Sequence, residues 1–151
     1  MSEHSVTFVP RDPRYIPNSQ QIKHAEALAR SLFPQADAIL PQLGDGIRLF
    51  DAGGNFESVT CPGCSAQIEL DWWQAAMDAD YDEQGFRLQP QTMPCCERSY
   101  ALHEMTYDWP QAFGKFGLEL RNPGVGSIPA ESVGPFESAL GTSLKVICAH
   151  R

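Results

Sequence analysis

The sequence lacks any apolar run near the ~18 residues that a membrane-spanning helix requires. Its first residues, MSEHSVTF, lack the basic and apolar regions of a secretory signal. Basic side chains are also few, with 11 Lys and Arg against 19 Asp and Glu, so we do not expect the phosphate contacts of a nucleic-acid-binding protein. These absences predict a cytoplasmic protein that binds neither membranes nor nucleic acid.

Recognisable catalytic motifs are missing as well. The Asp-Ala-Asp-Tyr-Asp run at residues 78–82 begins like a calcium loop, but Glu83 and Gln89 stand where an EF-hand needs Gly and Glu. The sequence places no activated nucleophile beside His24 or His150, so we expect surface histidines. No internal repeat is evident. These observations predict a protein that is not an enzyme.

Acidic residues are concentrated in the middle of the chain. Between Glu57 and Asp108 there are ten acidic and two basic residues, a charge of −8 that equals the net charge of the whole chain. This contrast predicts an acidic insert, residues 53–110, within an electrically balanced scaffold formed by residues 1–52 and 111–151. The insert is either a solubilising surface or a contact surface for another protein that carries a basic patch.

The scaffold is predicted to contain four strands and two helices. The strands are residues 5–9, 47–50, 115–121 and 144–149. One helix begins after Asn18, which forms a capping box with Gln21, and is stopped by Pro34. The other helix lies within residues 129–140. The order strand–helix–strand, repeated once, predicts an α+β fold of the ferredoxin-like, split βαβ type.

Periodicity and turn signals predict the place of several single residues. In the first helix, Leu32 belongs to the apolar face, and in the last strand Cys148 faces the core. Gly44-Asp-Gly46 and Gly53-Gly54 are turn signals. Pro135 is expected to confine the second helix to its second half, and Gly141 to cap it.

Four of the five cysteines form two close pairs, Cys61-Pro-Gly-Cys64 and Cys95-Cys96. Two thiolates separated by two residues can share a metal on a tight turn, and apolar alternation after the first pair predicts the return strand of a hairpin. That strand would carry Ala66, Ile68 and Leu70. Such a hairpin, completed by a distant second pair, is typical of a zinc ribbon. We expect one structural zinc ion.

The second cysteine pair departs from the usual C-x-x-C spacing. Side chains of adjacent residues in a strand point in opposite directions, so both thiols reach one metal only if the backbone turns, which Pro94 favours. Without a turn, His103 is the natural fourth ligand in place of Cys96. The competing hypothesis is an enzyme in which the cysteine cluster performs thiol-redox chemistry or holds zinc with an open position.

Two adjacent tryptophans, Trp72 and Trp73, lie on a predicted helix of the insert, residues 72–81, capped by Asp71. A small ribbon does not bury two indoles by itself. Either they dock the insert onto the scaffold or they form part of a partner-binding surface.

Five short elements follow one another in this part of the chain. They are Cys61-Pro-Gly-Cys64, Trp72-Trp73, Pro94-Cys-Cys96, Tyr107-Asp-Trp-Pro110 and Phe113. This pattern resembles a group of uncharacterised bacterial proteins of similar size. The resemblance implies a bacterial origin and a zinc-ribbon-like site in which Cys96 is the fourth ligand, and it implies no activity.

Overall fold

The secondary structure is known from a computed structural model that describes residues 3–53, 56–125 and 128–150. Within these ranges there are three α-helices: α1 (Ser19–Leu32), α2 (Leu70–Asp80) and α3 (Ala130–Leu140). None of the helices in the described ranges has the length and apolar character needed to cross a membrane. A 3-10 turn spans Leu102–Glu104.

Most of the strands belong to one antiparallel sheet. The strands of the described residues are β1 (His4–Pro10), β2 (Ala38–Phe50), β3 (Val59–Thr60), β4 (Gln67–Ile68), β5 (Tyr81–Asp82), β6 (Gly85–Phe86), β7 (Gln91–Thr92), β8 (Ser99–Tyr100), β9 (Thr106–Tyr107), β10 (Ala112–Arg121) and β11 (Leu144–His150). The large sheet has the order β11-β1-β10-β2-β6-β5, and its neighbours all run antiparallel. A three-stranded sheet, β4-β3-β9, and the β7–β8 hairpin lie in the middle of the chain. The protein is therefore a mixed α/β protein with antiparallel sheets.

Helices α1 and α3 cover one face of the large sheet. Phe116, Leu118 and Leu120 of β10 are buried beneath them, as the alternation of that strand indicates. The ring of Phe8 on β1 stacks on that of Phe136 on α3, with 4.3 Å between centroids. Burying a side chain of this size stabilises the fold by ~1.5–3 kcal/mol. This face forms the main core of the scaffold.

Helix α1 begins as predicted and buries a narrower face than expected. The capping box between Asn18 and Gln21 is present in both directions, and the helix ends before Pro34. Leu32 is 44% exposed, so its predicted place in the core is wrong. The following residue, Phe33, leaves the helix and enters the core in its place.

Strand β2 is longer than predicted and contains the glycines that were expected to form a turn. A Cβ at Gly46 would lie 1.3 Å from the carbonyl oxygen of Gln84, so this glycine allows the β5–β6 hairpin to pack closely against β2. The predicted turn at Gly44-Asp-Gly46 is therefore wrong. At the other turn signal, Gly53 pairs with His150 in a parallel bridge, and Gly54 lies outside the described residues.

Helix α3 runs without interruption through Pro135, contrary to prediction. Pro135 lies on the exposed side of the second turn, where it removes one backbone hydrogen bond. Phe136, Ala139 and Leu140 are buried and hold the rest of the helix against the sheet. Gly141 ends the helix in the left-handed conformation, with φ of 79°, which confirms its predicted role.

The acidic middle of the chain packs around a second core, the insert core, which also includes residues of the scaffold. Ile47 of β2 and Phe113 of β10 are buried in the same cluster as Trp73 and Met93. Strand β6 pairs with β2 at Ile47↔Phe86, and the ring of Phe86 packs edge-on against Phe113 with 5.1 Å between centroids. The middle segment thus docks onto the scaffold through both a strand pair and a shared core.

Candidate metal centre

The first cysteine pair lies in the turn of the β3–β4 hairpin. Val59 pairs with Ile68, and the chain turns at residues 62–64. The N–H of Cys61 donates to the carbonyl of Ala66 at 2.9 Å, and that of Ser65 donates to the carbonyl of Cys61 at 3.0 Å. Ser65 adopts a left-handed φ of 65°. The predicted hairpin is confirmed. Its return strand contains Ile68, whereas Ala66 precedes the strand and Leu70 belongs to α2.

The second cysteine pair lies in a hairpin of the same construction, β7–β8. In this hairpin the N–H of Met93 donates to the carbonyl of Arg98 at 2.8 Å, and the N–H of Glu97 donates to the carbonyl of Met93 at 3.2 Å. Glu97 has a φ of 64°, like Ser65. The chain turns at residues 94–96, which confirms the turn predicted from Pro94. Residues 59–68 and 91–100 therefore form equivalent hairpins.

This equivalence shows that the two hairpins place their cysteines differently. Met93 occupies the position of Cys61 and is equally buried, and Cys95 occupies the position of Gly63. Only Cys64 and Cys96 correspond directly. The sequence signal for this repeat is Thr-x-Pro-x-Cys at residues 60–64 and 92–96, which the sequence analysis missed because the remaining positions differ.

The turns bring the sulfurs of Cys61, Cys64, Cys95 and Cys96 within 4.8 Å of one another. The Sγ atoms of Cys61 and Cys96 are 3.8 Å apart, and those of Cys64 and Cys95 are 3.3 Å apart. A tetrahedral zinc site with Zn–S bonds of about 2.3 Å has S···S edges of about 3.8 Å. The cluster therefore has the ligand atoms and nearly the dimensions of a four-thiolate metal site.

The four thiols differ in their access to solvent. Cys61 is 1% exposed and packs within the insert core, and Cys96 is half-buried beside it. Cys64 and Cys95 are exposed. The cluster thus has one side that faces the protein core and one side that faces solvent.

Neighbouring groups act on the ionisation of two of these thiols. Burial raises the pKa of Cys61, but the backbone N–H groups of Cys64 and Gly63 and the nearby thiols stabilise its thiolate and lower the pKa to about 7. Burial, the neighbouring thiols and the charge of Cys61 raise the pKa of Cys95 to about 12. Without a cation, the thiolate of Cys61 opposes the ionisation of Cys95. A divalent cation among them removes this opposition because it binds the deprotonated sulfurs.

Arg98 places a positive charge beside the cluster. Its Nη1 donates to the carbonyl of Gly63 at 3.4 Å. A hydrogen bond to Tyr100 raises the pKa of Arg98, and the thiols of Cys96 and Cys64 add to this effect. The guanidinium group of Arg98 is therefore close to the four thiolates, which would carry a net negative charge around a divalent metal. Gly63 makes this packing possible, since a Cβ there would lie 2.5 Å from the hydroxyl oxygen of Tyr100.

The remaining candidate residues lie outside this cluster. His103 is half-buried, its Nδ1 has no hydrogen-bond partner, and burial lowers its pKa. Among the described residues, the potential metal-binding group contains Cys96 and does not contain His103. Cys148 is half-buried on β11, so its predicted place in the core is only partly right. His24 and His150 are exposed, as expected.

Helix α2 presents one tryptophan to the insert core. Trp73 is buried, with its ring 5.3 Å from that of Phe56, whereas Trp72 is half-buried at the edge of the core. This core includes scaffold residues, so Trp73 takes part in docking. The predicted cap is wrong: Glu69 holds the N-cap position without a side-chain hydrogen bond, and Asp71 lies in the first turn.

Asp80, which belongs to the calcium-like run, has an internal role that the sequence does not reveal. Its side chain is 2% exposed and accepts three backbone N–H bonds, from Arg87 at 3.1 Å, Leu88 at 2.7 Å and Gln89 at 2.9 Å. This carboxylate fixes the chain between α2 and the second hairpin. Leu88 adopts a left-handed φ of 56° within the loop that Asp80 binds.

The geometry of the four thiols defines what this site can do chemically. Four thiolates in tetrahedral geometry suit a soft or borderline cation such as Zn²⁺. When all four bind, the metal has no open position for a substrate.

Comparison of the chain with protein-family profiles, curated proteins and solved structures finds no match.

Proposed function

We propose that this protein binds one zinc ion through Cys61, Cys64, Cys95 and Cys96, and that the zinc has a structural role. The observation that carries this proposal is the convergence of the four sulfurs within 4.8 Å. Zinc is favoured over other cations because thiolates select soft or borderline metals and zinc prefers tetrahedral sites. A site closed by four thiolates supports folding rather than catalysis.

The hairpins that supply the ligands explain why the metal would be structural. Each has only two pairs of strand residues, Val59↔Ile68 with Thr60↔Gln67, and Gln91↔Tyr100 with Thr92↔Ser99. The second hairpin forms a sheet of its own, and isolated two-stranded sheets are marginally stable in water. A metal that joins both hairpins would contribute its binding free energy directly to folding.

The same proposal extends to the fold. We propose that the scaffold is a ferredoxin-like sandwich, which the strand order β11-β1-β10-β2 and the two helices on one face support. The insert is proposed to be zinc-ribbon-like, supported by its two equivalent cysteine hairpins. Membership of the bacterial group that it resembles, and a cytoplasmic location, are parts of this proposal.

We also propose that the insert binds another protein. Nine of the ten acidic residues between Glu57 and Asp108 are exposed, and Asp80 is the exception. This distribution gives the insert an acidic surface that complements a partner with a basic patch. Complementary charge increases the rate of encounter between proteins.

Metal analysis of protein purified without chelator tests the central proposal. We expect one zinc per chain, and loss of this zinc in Cys61→Ser because the variant lacks one ligand. Cys148→Ser is the matched control, since Cys148 lies on the scaffold, and it should keep the metal. A wild-type protein without metal, or a Cys61→Ser variant with full zinc, would contradict the proposal. Absence of zinc together with a Cys95–Cys96 disulfide would favour thiol-redox chemistry instead.

A further inference from the structure

The exposed side of the cysteine cluster carries a close pair of sulfurs. The Sγ atoms of Cys64 and Cys95 are 3.3 Å apart, and both residues are exposed. The inner pair, Cys61 and Cys96, is 3.8 Å apart and is less accessible. Oxidation of thiolates depends on their exposure and on a nearby second thiol. The cluster therefore presents one pair of thiols with both properties.

The position of Cys95 in its hairpin accounts for this exposed pair. The second hairpin carries Met93, 1% exposed, where the first carries the buried Cys61. A thiol at position 93 would occupy the buried site, as Cys61 does. The hairpin instead presents its thiol from the position equivalent to Gly63, on the solvent side and against Cys64.

We propose that Cys64 and Cys95 are an oxidative modification site, at which a peroxide forms a disulfide and thereby releases the zinc. This inference rests on the proposed zinc binding at the same cluster. Loss of two of four ligands leaves the metal with Cys61 and Cys96 alone. The Cys64–Cys95 disulfide then joins the two hairpins in place of the metal.

The reaction balances with hydrogen peroxide as the oxidant. One thiolate attacks a peroxide oxygen and becomes a sulfenic acid, and the second thiolate displaces its oxygen to form the S–S bond. The two sulfurs together lose two electrons. Hydrogen peroxide accepts these two electrons and two protons from solvent. Its O–O bond breaks, and two water molecules form. The zinc leaves as Zn²⁺ without a change in oxidation state.

Treatment of the zinc-loaded protein with hydrogen peroxide tests the proposal. Zinc release is followed with a chromogenic chelator, and the disulfides are mapped by peptide mass spectrometry at the same time points. We expect zinc release to parallel the formation of a Cys64–Cys95 disulfide, with Cys148 remaining reduced. A thiol reductant with added zinc should reverse both changes.

The control variant keeps four cysteines in the cluster and moves one thiol. Met93→Cys/Cys95→Gly gives the second hairpin the same C-P-G-C pattern as the first. We expect it to bind one zinc and to release it more slowly under peroxide, by roughly tenfold or more, because the exposed pair is gone. Release as fast as in the wild type would overturn the proposal. If this variant does not fold, the wild-type disulfide map decides by itself.

The outcomes distinguish this inference from the proposed function. A wild-type protein without zinc before oxidation would overturn both. A protein that holds one zinc and keeps it under peroxide would overturn only the oxidation proposal. Release that accompanies a Cys61–Cys96 disulfide instead would also overturn it, since the inner pair would then be the reactive one.

Discussion

The indole N–H of Trp73 donates a hydrogen bond to the hydroxyl oxygen of Tyr107 at 3.2 Å. The hydroxyl group in turn donates to the carbonyl of Leu102 at 2.7 Å. Both side chains are buried, so these two hydrogen bonds satisfy the indole N–H and the hydroxyl group within an apolar cluster. They also join three elements of the insert: α2, β9 and the 3-10 turn. The insert core is thus fixed by directional bonds as well as by packing.

Replacement of Trp73 tests its role in docking. Trp73→Ala should lower the free energy of unfolding by about 3–5 kcal/mol, because it leaves a cavity and removes the hydrogen bond that Tyr107 accepts. Trp109→Ala is the control, since that indole is 45% exposed, and should cost less than about 1 kcal/mol. Denaturant unfolding at fixed zinc concentration measures both values. Equal losses in the two variants would mean that Trp73 contributes little to docking.

Ionisation of Tyr107 should lower the stability of the fold at alkaline pH. Burial raises the pKa of Tyr107, and the hydrogen bond from Trp73 lowers it by less. The folded protein therefore favours the neutral phenol. This contribution to stability is complete below the unfolded pKa of about 10 and is lost as the pH rises towards the higher folded pKa.

The variant Tyr107→Phe isolates this effect. At pH 7 it should be less stable than the wild type by about 1–2 kcal/mol, because it loses both hydrogen bonds. Above pH 10 the difference should shrink, since the variant has no phenol to ionise. Tyr81→Phe removes an exposed hydroxyl group and serves as the control. A difference that stays constant over this pH range would contradict the assigned shift.

Asp80 should stabilise the fold through its three backbone hydrogen bonds. Asp80→Asn should cost about 1–3 kcal/mol, because the amide accepts fewer of these bonds and introduces buried donors. Asp78→Asn changes an exposed residue of the same run and should cost less than about 0.5 kcal/mol. Thermal unfolding compares the two. Addition of calcium should leave the wild-type melting temperature unchanged, and an increase would restore the calcium-loop hypothesis.

Removal of exposed insert charges tests the acidic surface. Changing Asp78 and Asp82 to Asn and Glu83 to Gln takes the insert charge from −8 to −5 while leaving Asp80 intact. Association with a basic partner should become slower and less dependent on salt, because exposed charges act mainly on encounter rates. Binding kinetics at low and physiological ionic strength measure this change.

The matched control removes three exposed scaffold charges, through Glu3→Gln, Asp45→Asn and Glu131→Gln. It has the same net charge as the insert variant but keeps the acidic surface. Zinc content should be unchanged in both proteins. If the two variants slow association equally, the effect comes from net charge and the insert is not the contact surface.

Local sequence signals were sufficient to predict the features that depend on residues close together in the chain. The capping box of Asn18, the buried face of β10 and the turn after Pro94 each follow from spacing within a few positions. The cluster of four cysteines was also predictable, although its pairs are distant in the chain, because two close cysteine pairs are typical of a zinc ribbon.

Features that depend on distant backbone segments were not predictable. Gly46 looks like a turn residue, and only the packing of Gln84 against it shows why a strand needs a glycine there. Asp80 has the same local environment in the sequence as Asp78, and its burial is decided by the loop at residues 87–89. The equivalence of Cys61 and Met93 is hidden because a thiol and a thioether side chain occupy the same position.

The pairing of Phe50 with Ala112 has a consequence for the order of folding. These residues face each other on β2 and β10, and residues 51–111 form the loop between them. Closing a loop costs more entropy as its length grows, and β10 is a central strand that also pairs with β1. Once the two cysteine hairpins are joined and β6 lies on β2, most of this loop is already ordered. We therefore expect zinc to accelerate refolding of the scaffold, although no ligand belongs to it.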